Sequence, residues 1–553
     1  MARKSTRAIG FIAALACTLS ASLAQAAGSD TDSVGWKAFK SEVTVDSTFY
    51  RIPFLLETKS GVLVAGTDAN RGTTGDSADN IDAAIRRRLP SGEWEAAQVP
   101  AALDLRDYSE NSGYARASAS VIDGIIMQDS SSNQLKVLID LWPWNGGVFT
   151  KLNVWNDGSV HGGDPRSFVL GDGFASVAGH EMLLLSSKNR KGDANGEKGV
   201  INLNTNRADF DYVADVDGPR DSDGRIRVYH LEGQPRQYTA QGVDDSNLLL
   251  GAESEYSLSS DFELYKYGKQ LNSHQVDTGK VVPMKIMYRD SELQMFNTQH
   301  ILQVSSSDDG KTWKTDGLKT RDFRSPDSKY SLIAPGKAVQ TRAGVHPGRL
   351  IVSVYTQKAG GTFAESVYSD DGGLNWNRGG DIPNNANLHE STIVELSGGT
   401  LLSFNRNPGN NGKVLWSYSA DGAMTWSAPQ SAFGDSAQGV ASQVSAVALS
   451  KNLKSKKTGE ELPTIAVLTP TERDRTHGVV HFGVVHNSET RPEIEWVGTT
   501  EITAAGKKFG YSSIEQLKNG KIGVLYEASP TGSWADGLKS IYYREIAATP
   551  AVK

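Results

Sequence analysis

At 553 residues, 38% of them hydrophobic, the chain can bury a large core and exceeds the usual ceiling of one compact domain, so one very large domain or two are expected. Charged residues make up 22% and the formal net charge is -7, which excludes an overall basic field able to attract nucleic acid or an acidic membrane surface. Any anionic substrate must therefore be held by a local cluster of arginines.

The N-terminus reads as an export signal: Arg3, Lys4 and Arg7 precede a largely apolar run from Ile9 to Leu23, and Ala24-Gln25-Ala26 has the small-x-small form of a cleavage site. Residues 1–26 are expected to be removed, giving a secreted or periplasmic protein. The single cysteine, Cys17, lies within that segment, so the mature chain should hold neither disulfide nor thiolate metal site. A lipoprotein reading would cut before Cys17, but Ala14-Leu15-Ala16 fits that signal poorly because Leu is expected three residues before the cysteine. No second apolar run approaches the ~20 residues needed to cross a bilayer, so no stable membrane insertion is expected.

Beyond the signal, short runs of β-branched, aromatic and leucine residues recur between Gly, Asn, Asp and Pro clusters: Val62–Ala65, Lys136–Leu141, Arg349–Tyr355, Thr400–Phe404, Thr464–Leu468, Val479–Val485 and Ile522–Tyr526. These predict strands. Few stretches hold helical periodicity over three turns, so the fold class is all-β, a sandwich, barrel or propeller. Between roughly Gly146 and Thr278 the chain becomes polar and irregular, with turn signals at Asp193–Gly196, Asp217–Pro219 and Asp221–Gly224.

An eight-residue pattern then repeats: Ser306 to Trp313, Ser369 to Trp376 and Ser419 to Trp426, all of the form S-x-D-x-G-x-T-W, with Asn375 replacing Thr in the second copy and Ala423 replacing Gly in the third. The Ser and Asp side chains can satisfy backbone donors in a tight turn, Gly tolerates positive φ, and Trp can fill the apolar gap beside it. The pattern is a hairpin-turn device, and its repetition implies repeated sheets. Leu89-Pro90-Ser91-Gly92-Glu93-Trp94 retains only the turn and the Trp. Lys451, Lys454, Lys456 and Lys457 form a basic cluster, read as a solvated loop.

The repeat is the Asp box of sialidase-like propellers, and Phe49-Tyr50-Arg51-Ile52-Pro53 resembles the (F/Y)-R-I-P signature of bacterial sialidases. The resemblance runs from Tyr50 to Glu527 with its motifs in the expected order. It implies a six-bladed β-propeller over residues 27–145 and 286–553, interrupted by a small irregular β insertion at 146–285. No separate carbohydrate-binding domain or wall anchor is read. The implied activity is that of a retaining exo-sialidase, acting on sialylated glycans, glycoproteins or glycolipids, without redox cofactor or catalytic metal, as a monomer.

Carried over residue by residue, the resemblance makes Arg51, Arg406 and Arg475 an arginine triad, with Arg473 competing for the last place. Three guanidiniums can grip one carboxylate through planar, charge-assisted hydrogen bonds that lysines cannot reproduce. Tyr511 matches the nucleophile: a neutral phenol avoids the repulsion an attacking carboxylate would meet from the substrate's own carboxylate, and tyrosine-nucleophile sialidases are a known exception to two-carboxylate glycosidases. A phenol with a pKa near ~10 needs a neighbouring base, and Glu390 matches it. Asp76 matches the acid that protonates the leaving oxygen and later activates water, with Asp79 the second candidate. Asp68, Asp79 and Asp82 also read as turn residues. Arg71 and Asp123 resemble contacts to the sugar's hydroxyl face, against a reading as ordinary loop charges. Glu527 resembles the carboxylate that buttresses Arg51. Three other outcomes remain open: a trans-sialidase or an intramolecular trans-sialidase using the same site, a sialic-acid lectin, and a purely structural propeller.

Overall fold

The computed structural model describes residues 31–32, 35–40, 49–70, 76, 80–101, 118–143, 172–187, 201–202, 207–208, 210–233, 238–239, 242–243, 246–274, 279–288, 290–295, 298–325, 328, 330–383, 387–409, 412–434, 440–489 and 491–551. The export segment with Cys17, the turn signal Asp193–Gly196, Arg71 and Asp79 lie outside them. Among the described residues the only helices are the single turns Thr320–Phe323 and Trp534–Gly537. All else that is regular is β, and the seven predicted runs fall in strands.

The strands form a β-propeller, as successive antiparallel fans. One fan runs through Phe49–Glu57, Leu63–Asn70 and Ile81–Arg88, and joins by the single parallel pair Ile81–Ser120 to the next, made of Ser120–Gln128, Leu135–Trp142, His300–Ser306 and Lys314–Leu318. Then come Tyr330–Ile333 with Leu350–Lys358, Gly361–Ser369 and Asn377–Asp381, and after it the fan Ser391–Glu395, Leu401–Asn405, Leu415–Ser419 and Gln430–Ser431. Ser445–Lys454, Glu461–Glu472, Thr476–His486 and Glu493–Glu501 make the next. The last fan, Phe509–Gln516, Lys521–Ala528 and Ser540–Ala547, is completed by the N-terminal strand Gly35–Lys40, which pairs Trp36 with Tyr543 and Lys40 with Ser540. Closing the ring with strands from both ends of the chain leaves that sheet no open inner seam.

Fans pack face to face, which is why their strands read as near-continuous apolar runs rather than strict alternation. Val447, Leu449, Leu468, Val480 and Phe482 share one core with Phe509, Ile514, Val524, Tyr526 and Tyr542 of the following fan. Phe54 shows how tight the packing is: a Cβ on Gly66 would lie 1.9 Å from its ring, and one on Gly124 2.5 Å. Only glycine permits the rings and strands to approach so closely.

The Asp boxes do the turn work their residues suggest. In the first, Ser306 Oγ accepts from Gly310 N (2.9 Å) and donates to Asp308, whose carboxylate also takes the Thr312 amide and hydroxyl. Asn375 serves the second box by donating its side-chain amide to Asp371 (2.7 Å), and Ala423 holds φ 70 where the first two boxes have glycine at φ 81 and 83. Two of the tryptophans also staple fans together: Trp376 Nε1 donates to Gln303 Oε1 (2.9 Å) and Trp426 Nε1 to Ser366 Oγ (3.4 Å), each on the preceding fan. Lys451 and Lys454 end a strand instead of lying in a loop, and the turn after them is ordered by Glu495, which accepts from Ser455 Oγ and from the Lys456 and Lys457 amides.

Between Leu135–Trp142 and His300–Ser306 the chain builds a separate sheet from strands that include Phe174–Val177, His180–Ser186, Tyr212–Ala214, Ile226–Glu232, Leu249–Leu258 and Leu264–Lys266. Its apolar face, with Leu183, Leu185, Tyr212, Val228 and Leu258, merges with Val137, Ile139 and Leu302 of the propeller into one core.

Candidate active site

Three inner strands break their ladders where the predicted site residues stand. Register shifts fall between Arg51 and Phe54, immediately after Arg51, and between Ile122 and Ile125 and between Phe509 and Ser512, which bracket Asp123 and Tyr511. A β-bulge turns a side chain out of the strict alternation of a strand and strengthens local twist. At the first two the backbone is left-handed: Ile52 has φ 55 and Asp123 φ 63. For a β-branched residue such as Ile52 that conformation costs about 1–2 kcal/mol, so the surroundings must over-determine it. Burial of its side chain with Ile81, Ile122, Trp142, Leu332 and Tyr511 and the bond from its amide to Glu527 Oε1 (2.8 Å) do so.

Glu527 ties two strands at once. From Lys521–Ala528, and 1% exposed, it accepts from the Ile52 amide through Oε1 and from the Tyr511 amide through Oε2 (3.1 Å), while Arg51 Nε lies 3.6 Å from Oε1. The approach requires glycine before Tyr511, since a Cβ on Gly510 would stand 2.2 Å from Glu527 Oε2.

Around Tyr511 the charges converge. Its Oη donates to Glu390 Oε1 and accepts from Arg406 Nη1 (2.8 Å), and the same Nη1 reaches Glu390 Oε1 (2.7 Å) and Oε2 (2.8 Å). Glu390 and Arg406 are themselves set by backbone pairing: Arg406 N donates to Glu390 O (3.0 Å) and His389 N to Arg406 O (3.0 Å). The Arg475 guanidinium carbon lies 5.4 Å from the centre of the Tyr511 ring and that of Arg51 5.9 Å, so three guanidiniums surround one phenol. Arg475 takes a left-handed φ of 53 and donates from Nε to Ala441 O (3.2 Å), whereas Arg473 is exposed to solvent. Asp76 is joined to Arg51 Nη1 and is the described carboxyl of its loop; Asp68 and Asp82, read from sequence as turn candidates, are instead buried within strands Leu63–Asn70 and Ile81–Arg88.

Electrostatics sort the groups into distinct protonation states. Burial pushes the Tyr511 phenol well above its usual range, and the charge of Glu390 pushes the same way against Arg406 and Arg475, so it rests neutral. Burial would raise Glu390 too, but the Arg406 charge and the Tyr511 hydrogen bond outweigh it and hold the carboxyl below the usual range, so it rests ionised. Asp123 is raised well above the usual range by burial and by Asp76 and Glu390. The site can therefore grip an anion with guanidiniums and pass a phenolic proton to an adjacent carboxylate.

Two residues of this neighbourhood were given no part in the site by the sequence reading, Tyr355 not being singled out and Asp68 being read as a turn residue. Tyr355 stacks on His389, ring centres 5.7 Å apart at 8°, and packs against the cluster holding Tyr511 and Ile52. Asp68 receives the Asp123 amide on Oδ2 (3.4 Å). A polar residue in phase with buried neighbours in Leu63–Asn70 was the available signal for the second; for Tyr355 there was none. Among the described residues no group of His, Cys, Asp and Glu could hold a metal ion.

Residues 278–524 match the family described as a BNR repeat-like domain. The chain is similar to an anhydrosialidase of Macrobdella decora, 26% identical over 91% of this chain, and to Sialidase B of Streptococcus pneumoniae serotype 4, 26% identical over 88% of it. It spans 61% and 63% of the lengths of those relatives. Among solved structures, an intramolecular trans-sialidase of Ruminococcus gnavus, bound to oseltamivir carboxylate, shares the fold with a TM-score of 0.70 and 23% identity, covering 92% of this chain and 97% of that one.

Proposed function

We propose that this chain, which belongs to the bacterial-type sialidase family, is a retaining exo-α-sialidase that removes terminal sialic acids through a tyrosyl-enzyme intermediate. The observation that carries this reading is the Tyr511 hydroxyl donating to Glu390 beneath Arg51, Arg406 and Arg475. A substrate carboxylate takes the guanidiniums, and in doing so frees Asp76 from Arg51. Tyr511 Oη bonds to the anomeric carbon while its proton passes to Glu390, and the bond to the leaving oxygen breaks as Asp76 protonates it. Water deprotonated by Asp76 then attacks the same carbon, and Tyr511 recovers its proton from Glu390. Two inversions give net retention.

Arg71 and Asp123 are assigned to the hydroxyl face of the sugar. The same reading takes sialylated glycoproteins, glycolipids and glycans as substrates, and a monomeric protein working outside the cytoplasm after loss of residues 1–26, with the propeller at 27–145 and 286–553 and the insertion at 146–285.

The test is incubation with a fluorogenic sialoside, with NMR of the first sugar formed. The α-anomer of free sialic acid supports the reading. The β-anomer first would overturn retention; an anhydro sugar would move the chain to intramolecular transfer; binding without turnover would make it a lectin.

A further inference from the structure

A buried backbone N–H on an inner strand that the strand ladder leaves unpaired needs an acceptor, because burying a donor without a partner is unfavourable. At three successive junctions between fans the acceptor is of one kind. Glu527, on the second strand of the last fan, takes Ile52 N on the inner strand of the next (2.8 Å). Asp68, on the second strand of that fan, takes Asp123 N on the inner strand of the following one (3.4 Å). Asp140, on the second strand there, takes Ile333 N on the inner strand after it (3.0 Å), its other oxygen receiving Gln299 Nε2 (2.9 Å). All three carboxyls are at most 2% exposed.

The repetition makes their differences informative. Glu527 holds the strand of Arg51, and Asp140 holds the strand of Tyr330 and Leu332, which packs against the cluster holding Tyr511 but carries no charged residue. Asp68, directly across the ladder from Arg51, holds Asp123 itself, which is left-handed and lies within a register shift. We infer that Asp68 is a positioning residue that acts through Asp123, fixing its bulge so that the Asp123 carboxyl meets the sugar; this rests on the sialidase reading above. Asp68 Oδ1 has no hydrogen-bond partner among the described residues, so the Asp123 amide is the one described hydrogen bond of the Asp68 carboxyl. Burial, then the charge of Asp123, pushes the Asp68 carboxyl well above its usual range, so a neutral amide is a fair replacement at this place.

The experiment compares Asp68→Ala, Asp68→Asn, Asp123→Ala, the double variant Asp68→Ala/Asp123→Ala and, as control, Asp140→Ala, by steady-state kinetics on a fluorogenic sialoside. Asp68→Ala should raise KM about tenfold with kcat changed less than about threefold, the mark of lost ground-state binding. Asp68→Asn, which keeps an acceptor for the amide, should restore wild-type KM. The double variant should be no worse than Asp123→Ala alone, since the two act as one unit. Asp140→Ala should lower thermal stability and leave KM alone. Additive losses in the double variant, no rescue by Asn, or an equal KM rise in Asp140→Ala would overturn the inference. Should Asp68→Ala not fold, Asp68→Ser, one bond too short for the Asp123 amide, takes its place with the same expectations.

Amide exchange over Ser120–Gln128 reads the contact without catalysis: it should quicken in Asp68→Ala and not in Asp68→Asn. Wild-type protein that turns over no sialoside would defeat the sialidase reading and leave the contact to be judged by exchange. Unchanged exchange in Asp68→Ala would defeat the contact whatever the activity.

Discussion

Arg406 Nη1 stands 2.8 Å from Tyr511 Oη, so the phenol oxygen is held between a guanidinium that donates to it and the Glu390 carboxylate that accepts from it. The same guanidinium is counter-ion to Glu390 and, in the proposed mechanism, an anchor for the substrate anion. Changing Arg406 or Tyr511 therefore shifts the protonation of Glu390, and changing Arg406 or Glu390 shifts that of Tyr511, while the guanidinium stays charged.

Tyr511→Phe removes the hydroxyl and both of its contacts while preserving the ring over which Arg51 and Arg475 lie. Turnover of a fluorogenic sialoside should fall on the order of 10^3-fold or more. Calorimetric titration with a carboxylated sialic-acid analogue should still give binding within about tenfold of wild type. Wild-type turnover would remove Tyr511 from the chemistry.

The acid side of the pH–activity profile follows from Glu390. Its folded pKa lies below the usual carboxylate range because the Arg406 charge and the Tyr511 hydrogen bond outweigh burial, so Glu390 stays ionised as pH falls into that range and the acid limb lies lower still. Replacing Arg406 with Gln removes the charge that holds it down, and the limb of kcat should move upward. His389 lies beside Glu390 and is itself lowered from 6.5, chiefly by burial, so His389→Gln should leave no missing inflection near that pH. A limb unmoved in Arg406→Gln would contradict the coupling.

Gly510→Ala places a methyl group 2.2 Å from Glu527 Oε2 and 3.0 Å from the Trp534 ring. Glu527 must then yield its grip on the Tyr511 and Ile52 amides. Overpacking of this kind costs about 1–3 kcal/mol, and kcat should fall with it because Tyr511 loses its aim. Thermal denaturation alongside single-turnover rates checks both; a destabilised enzyme with unchanged kcat would confine Gly510 to packing.

Stability against acid should respond to the Asp boxes. Asp308 is lowered to about 2: burial opposes the shift, and the Thr312 hydroxyl and amide with Ser306 outweigh it. A folded pKa below the unfolded value gives stability that is present above the unfolded pKa near ~4 and lost as pH falls through the folded one. Asp308→Asn should therefore flatten the acid-unfolding curve between about 4 and 2. Asp68, Asp123 and Asp140 are raised, mainly by burial, and act in the opposite sense: what they contribute is complete below the unfolded pKa and declines as pH rises through the folded one. Urea denaturation across pH, repeated with Asp308→Asn, separates the two groups.

How much could be read beforehand differs by the range of the interaction. An Asp box closes its bonds within eight residues, as Ser306, Asp308, Gly310, Thr312 and Trp313 show, so its turn chemistry was written in the local pattern. Arg51, Asp76, Asp123, Glu390, Arg406, Arg475, Tyr511 and Glu527 could be named in advance only through family resemblance. Asp68 looked like a turn residue because the strand containing it ends in the polar loop that follows, and nothing local to residue 68 announces a bulge at 123. Tyr355 carried no signal, since any tyrosine in an apolar run reads as core.

The sequence alone decided that the described chain would be almost entirely β and that its hairpin turns would repeat, because propensity, alternation and turn chemistry act between neighbours along the chain. Only the tertiary structure decided which phenol would meet which carboxylate. The Tyr511–Glu390 bond spans 121 residues and the Glu527–Ile52 bond 475, and such contacts exist because closing a ring of fans brings the inner strands together, with bulges and buried carboxylates turning the side chains toward one another.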